Sequence, residues 1–212
     1  MVGGRDQRNE QMAAKLKHRQ PIIDAAVQLF RQRGYAATGL NDLVLASGSP
    51  KGSMYYYFPD GKPTIAAAAV EEAGRRVMET IEDIAARTGS TADLLVEHAR
   101  LLGQWMEKSG FRDGCPMTTV LLELAPDDRI VTEAGRRAFA ARLRILGDKL
   151  IEDGFEAREA EAMALLCTNA LQGSLVMARV ECSRAPIEQT AAQLAAILKV
   201  KSEARRSNAI QD

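Results

Sequence analysis

Apolar side chains recur along this chain at intervals of three and four, and runs in which they alternate with polar ones are absent. The first period puts them on one side of a helix, whereas a half-buried strand needs a period of two. Ile22, Ile23, Ala26, Val27, Leu29 and Phe30 form the first such stripe, and Gly34 supplies a stop. A helix is therefore predicted from about Lys17 or Pro21 to Arg33. A short second helix, Leu40–Ser47, turns Leu40, Leu43, Val44 and Ala46 inward and ends at Gly48. Ser49 is predicted to cap a third helix, Lys51–Phe58, with Pro50 at its first position. Pro59-Asp60-Gly61 then reads as a turn, followed by a long helix from about Pro63 to Ala86.

The same period continues to the end. Ser90 and Asp93 suit the start of a helix at Thr91–Lys108, and Pro116 opens a short one that stops at Pro126. Helices follow at about Asp127–Asp153, at Ala157–Val180, and from Pro186 to about Lys201. The expected fold is all-α, with an N-terminal three-helix head and a C-terminal helical body. The boundaries predicted are a flexible arm at 1–16, a head at 17–62, a body at 63–205 and a frayed tail at 206–212.

Composition adds a contrast between the two parts. The formal net charge is zero, yet the chain through Lys62 carries nine lysines and arginines against five acids. A basic first third on an acidic remainder suits a head that meets nucleic acid, although an offset of this size also arises by chance. Cys115, Cys167 and Cys182 stand far apart and only two histidines occur, so neither a metal framework nor a disulfide scaffold is expected. No apolar run approaches the roughly 20 residues that span a membrane. The N-terminal MVGGRDQRNEQ lacks the apolar core of a signal peptide, so a cytoplasmic protein is expected. Catalytic Ser/His/Asp sets, phosphate loops and paired carboxylates are missing, so the chain is not read as an enzyme and needs no cofactor.

The third helix carries the most informative chemistry. In Lys51-Gly52-Ser53-Met54-Tyr55-Tyr56-Tyr57-Phe58, Met54 and Phe58 fall four apart and can bury. The other side presents a base, two small residues and tyrosines. A helix entering a major groove about 12 Å wide needs small groups for close approach and hydrogen-bonders for phosphates and base edges. An amphipathic helix with surface tyrosines would show the same pattern.

The stretch from Ile22 to Ile65, IIDAAVQLFRQRGYAATGLNDLVLASGSPKGSMYYYFPDGKPTI, resembles the DNA-binding head of the TetR (tetracycline-repressor-like) family. The succession from Gly34-Tyr35 through Thr38 and Gly48 to Lys51-Gly52-Ser53, Tyr55 and Phe58 agrees without a gap. The resemblance implies a helix-turn-helix in which Lys51, Gly52 and Ser53 approach base edges. It implies that Tyr55, Tyr56 and Tyr57 touch phosphates, sugars or thymine methyls, that Thr38 lies near the DNA backbone, and that Lys62 reaches a phosphate. Three departures stand out. Gly39 replaces a usual Ser or Thr, leaving its backbone N–H for a phosphate. Gly61 lengthens the link to Lys62, and Ser49-Pro50 replaces Val-Ser. The last two, with Thr38-Gly39-Leu40-Asn41, resemble the branch that includes lincomycin-resistance and flavonoid-responsive regulators, as does Gly114-Cys115-Pro116.

For the body, the resemblance implies a small-molecule pocket and a dimer surface. Trp105, Phe111, Met117, Leu121, Met163, Cys167 and Gln172 are the candidate lining, although methionines and aromatics at helical spacing also build cores. Cys115 has two readings, a redox thiol or a structural one, and His98 reads as a surface or satisfied histidine. Leu166, Ala170, Ser174 and Met177 on one helix, with Ile187, Ala191, Leu194 and Leu198 on the last, read as a homodimer interface or as their own subunit's core. The expected function is a repressor that leaves a palindromic double-stranded DNA operator on binding a lipophilic molecule. A ligand-independent regulator or an activator of the same fold is the alternative.

Overall fold

The computed structural model describes residues 17–208, with side chains to Lys201. Among these residues every regular element is a helix. The helices are α1 Arg19–Arg33, α2 Leu40–Ser47, α3 Lys51–Tyr57, α4 Lys62–Ala85, α5 Thr91–Lys108, α6 Pro116–Leu124, α7 Arg129–Glu152, α8 Ala157–Glu181 and α9 Ala185–Asn208. The predicted arm at 1–16 and the last four residues of the predicted tail lie outside the described residues. The chain forms two compact units, one of residues 17–73 and 116–136, the other of 74–115 and 137–208.

In the first unit α1 packs against α2, α3 and α6. Its stripe of Ile22, Ile23, Ala26, Val27, Leu29 and Phe30 is buried, as its three-and-four spacing requires. Gly34 ends the helix at φ 83° and Gly48 ends α2 at φ 61°, left-handed conformations that a side chain would strain. Ser49 does not cap α3. Pro50 holds that position, while the Ser49 hydroxyl donates to His18 O at 3.5 Å and its N–H donates to Ser47 Oγ. The fixed φ of Pro50 sets the helix entry without a side-chain acceptor.

In the second unit α9 packs along α5 and α8. The core joins Leu94 and Leu95 of α5, Leu146 and Leu150 of α7, Cys167 and Leu171 of α8, and Ile187, Ala191, Leu194 and Leu198 of α9. Ser90 caps α5 by accepting from Asp93 N–H at 3.2 Å, and Thr91 N–H donates to Asp153 Oδ2 at 2.7 Å. The last helix runs past Lys201 to Asn208, because SEARRSN contains neither Gly nor Pro to stop it. Helix α8 is long and apolar enough to cross a membrane by length and composition, contrary to expectation. Its Met163, Ala164, Cys167, Leu171 and Ala178 are buried in this unit's core, while Leu165, Leu166, Val176, Met177 and Val180 are exposed.

Candidate functional site

Helix α3 is anchored from one side and open on the other. Met54 and Phe58 are buried, and the Arg19 guanidinium lies 5.6 Å from the Phe58 ring centroid. Tyr55 and Tyr56 are 49% and 61% exposed, Lys51 and Gly52 are exposed, and Ser53 and Tyr57 are half-buried. Tyr56 and Tyr57 pack edge to face at 5.1 Å, which limits the freedom of two of the three rings. The predicted division into a buried pair and an outward set is thus present on one short helix. No Cβ at Gly52 would meet anything within 4 Å, so a surface can approach the backbone there.

The turn before α2 is organised by a residue far away in sequence. Both oxygens of Glu123, on α6, accept backbone N–H groups: Tyr35 N–H to Oε1 and Ala36 N–H to Oε2, each at 2.7 Å. Gly34 permits this, since a Cβ there would collide with Glu123 Oε1. The Thr38 hydroxyl donates to Gly34 O at 2.8 Å and Thr38 is fully buried, so its side chain fastens the turn. Gly39 N–H donates to Asp42 Oδ2 at 2.8 Å, so the backbone donor expected to be left for a phosphate is occupied. A charged acceptor three residues into α2 takes that proton locally.

Lys62, at the start of α4, holds its ammonium 4.0 Å from the Tyr35 ring centroid. Burial lowers its pKa, while the Glu123 and Asp42 carboxylates pull it back up. The Tyr35 phenol is raised, first by burial and then by Asp128 and Glu123. Tyr35 and Lys62 thereby tie the turn to the first residue of α4.

The seven predicted lining residues divide between the units. Met117 and Leu121 belong to the first, where Met117 is buried and Leu121 packs so closely on Gly135 that an added Cβ would lie 2.5 Å from it. Trp105 is 42% exposed on α5. Phe111 packs against the second unit's core, Met163 and Cys167 are within it, and Gln172 Nε2 lies 3.6 Å from Cys115 Sγ. A groove of about 480 Å³ in this unit, lined by Leu143, Arg144, Ile151, Ala160, Glu161 and Leu165 among others, contains none of the seven.

The second unit also holds a cluster that the sequence reading missed. Arg142 is buried among apolar residues, with His98, Cys115 and Cys167 near enough for mutual electrostatic influence. His98 is buried and so is not a surface histidine; its pKa falls to about 3, first through burial and then through the Arg142 charge. Burial pushes the Cys167 thiol up to about 11, against the opposing pull of Arg142. The signal for Arg142 was its place four residues from both Ala138 and Leu146, inside the buried stripe of α7.

Ile187, Ala191, Leu194 and Leu198 are buried within their own protomer, so the core reading holds for them rather than the interface one. They face α5 and α8, which leaves the opposite side of α9 outward. There Ile197 is 43% exposed, and Ala192, Ala196 and Val200 are exposed beside it. On α8, Ser174 is buried and Ala170 half-buried, whereas Leu166, Gly173, Met177 and Val180 are exposed.

Comparison with known proteins places both parts of the chain. Residues 22–62 match the family described as bacterial regulatory proteins, tetR family. Residues 91–193 match the C-terminal domain of LmrA/YxaF-like transcriptional regulators. An uncharacterized HTH-type transcriptional regulator of Mycobacterium tuberculosis is 31% identical over 186 residues, covering 85% of this chain and 93% of the relative. The solved regulatory protein TetR from Rhodobacter sphaeroides superposes with a TM-score of 0.74 at 20% identity, over 84% of this chain and 97% of the other. The Bacillus subtilis regulator FadR, solved in complex with stearoyl-CoA, does so with a TM-score of 0.62 at 17% identity, over 84% and 96%.

Proposed function

This chain belongs to the TetR family of DNA-binding transcriptional regulators, and from that premise we propose that it is a cytoplasmic repressor whose dimer leaves a palindromic operator when a small molecule binds the body. The observation that carries the reading is the outward set on α3, where Lys51, Gly52, Ser53, Tyr55 and Tyr56 stand clear of a helix held down by Met54 and Phe58. Lys51, Gly52 and Ser53 read base edges, and the tyrosines and Lys62 hold the sugar–phosphate backbone. Thr38 acts by holding the turn from which α2 starts, rather than by direct contact.

Two copies pair through the exposed sides of α8 and α9. Leu166, Gly173 and Val180 recur every seven residues on α8, and Gly173 leaves room for a close helix crossing. A dimer presents two recognition helices to two half-sites, which a palindromic operator matches. The effector site is read in the second unit, around Cys167, Gln172, Met163 and Phe111. FadR, of similar fold, has been solved with an acyl-CoA, which supports a body able to take a ligand. Helix α4 begins at Lys62 in the first unit and ends at Ala85 in the second, and α7 also crosses between them, so both are covalent elements through which effector and DNA can be linked. Linkage makes the effect reciprocal: whatever weakens operator binding is itself weakened by the operator.

The test selects operator DNA from a random pool and measures Kd against salt for wild type, Lys51→Ala and Lys62→Ala. Steep salt dependence is expected, with relaxed preference at particular base pairs for Lys51→Ala. For Lys62→Ala, uniform weakening is expected, with a salt slope reduced by about one. Salt-independent binding, or the two variants exchanging roles, rejects the assignment.

A further inference from the structure

We propose that Arg142 anchors an anion-binding site in the second unit, and that the molecule it takes is a small apolar carboxylate. This rests on the effector-responsive reading above and specifies the ligand class. Arg142 is 4% exposed and sits in the stripe of α7 formed by Ala138, Leu146 and Leu150, positions built for apolar side chains. A guanidinium cannot shed its proton, so burial leaves it charged. No Asp or Glu among the described residues forms an ion pair with it, and its Nε is buried without a hydrogen-bond partner. A buried cation held this way is costly unless an opposite charge arrives.

The neighbours do not supply that charge. Cys167 is a protonated thiol at neutral pH and His98 a neutral imidazole. Their chemistry leaves the guanidinium's charge to be met by an anion. His98, Cys115 and Cys167 are near enough to act on the guanidinium electrostatically, and Thr168, next to Cys167 in sequence, buries a hydroxyl that also lacks a partner. Gln172 brings an amide to the same cluster through its contact with Cys115. The planar fork of an arginine matches the two oxygens of a carboxylate. The surrounding core, with Met163 and Leu171, suits an apolar body rather than a hydrated ion. An effector with an acid group would thus complete the unit's charge balance as well as fill space.

The test uses the full-length protein without DNA and follows Tm against acetate, benzoate and decanoate at constant ionic strength. Each anion is paired with its neutral alcohol. A rise of several degrees with at least one anion, absent with the matching alcohol, is expected. Arg142→Met should retain or exceed the wild-type Tm without ligand and lose the anion response, with affinity reduced on the order of 30-fold or more. Equal response to acid and alcohol, an anion response that survives Arg142→Met, or no response to any of the three overturns the proposal. So does an Arg142→Met protein that unfolds, since that places the charge in an internal pairing. Operator release is measured separately. Anion binding that leaves operator affinity unchanged preserves the site but rejects the effector role.

Discussion

The two units treat their polar groups differently. In the first, the turn between α1 and α2 is closed by short, specific bonds: Glu123 takes the N–H groups of Tyr35 and Ala36, Thr38 bonds Gly34 O, and Asp42 takes Gly39 N–H. In the second, a guanidinium is buried without a counter-charge and two helices expose apolar stripes. The first unit holds a reading helix still for a partner of one fixed shape, double-stranded DNA. The second leaves two features open, the guanidinium proposed above to take an anionic ligand and the apolar stripes that the proposed dimer would cover. Under the proposed ligand control, rigidity and incompleteness fall to different parts of one chain.

The largest effect expected comes from opposite sides of α9. Ala191→Asp buries a carboxylate in the second unit's core, costing about 3–5 kcal/mol and leaving little folded protein by circular dichroism. Ile197→Asp, on the exposed side, should give a folded monomer by light scattering. A dimer that survives Ile197→Asp would locate the interface elsewhere.

Glu123→Ala tests whether the first unit's turn depends on its distant acceptor. Losing both bonds to a charged group at this exposed site should cost about 1–2 kcal/mol in all. Hydrogen exchange at the Tyr35 and Ala36 amides should speed up selectively. Unchanged exchange would mean that the turn holds itself. In the second unit, His98 provides a pH signature. Its folded pKa of about 3 lies below the ordinary histidine value of 6.5, so the unfolded chain binds the proton first as pH falls. The stability is fully present above about 6.5 and is lost progressively toward 3, by about 1.4 kcal/mol at pH 5.5. Urea unfolding at pH 7 and 5.5 should show this loss in wild type and not in His98→Leu.

The smallest contrast is between two serines. Ser90→Ala removes a real cap and should cost about 1 kcal/mol. Ser49→Ala removes only a long bond to His18 O, and its Tm should stay within a degree or two of wild type.

Much of the fold was legible because the sequence punctuates it. Leu40–Ser47 and Thr91–Lys108 fall where Gly48, Ser90 and the apolar stripes place them. The outward set of α3 was legible for the same reason, since Met54 and Phe58 leave only one way to bury that helix. Helix α9 was not. Apolar residues occupy both of its sides, and periodicity alone does not say which side belongs to the subunit's own core. Glu123 looked like any acid on a short helix, because its partners lie 88 and 87 residues away. Arg142 was hidden by its type: arginines are expected outside, so its register with Ala138 and Leu146 went unweighed.

The Glu123 bonds bear on how such a protein can be taken apart or recombined. A cassette of residues 17–62 would carry the complete recognition helix and yet lack the carboxylate that secures the turn behind it. Because that carboxylate grips backbone N–H groups, the side chains at 35 and 36 can drift without loosening it, whereas Gly34 cannot gain a Cβ. A chimera that grafts this reader onto another regulator's body would therefore inherit an open joint, unless α6 travelled with it or the host's own sixth helix offered an acid at the matching place.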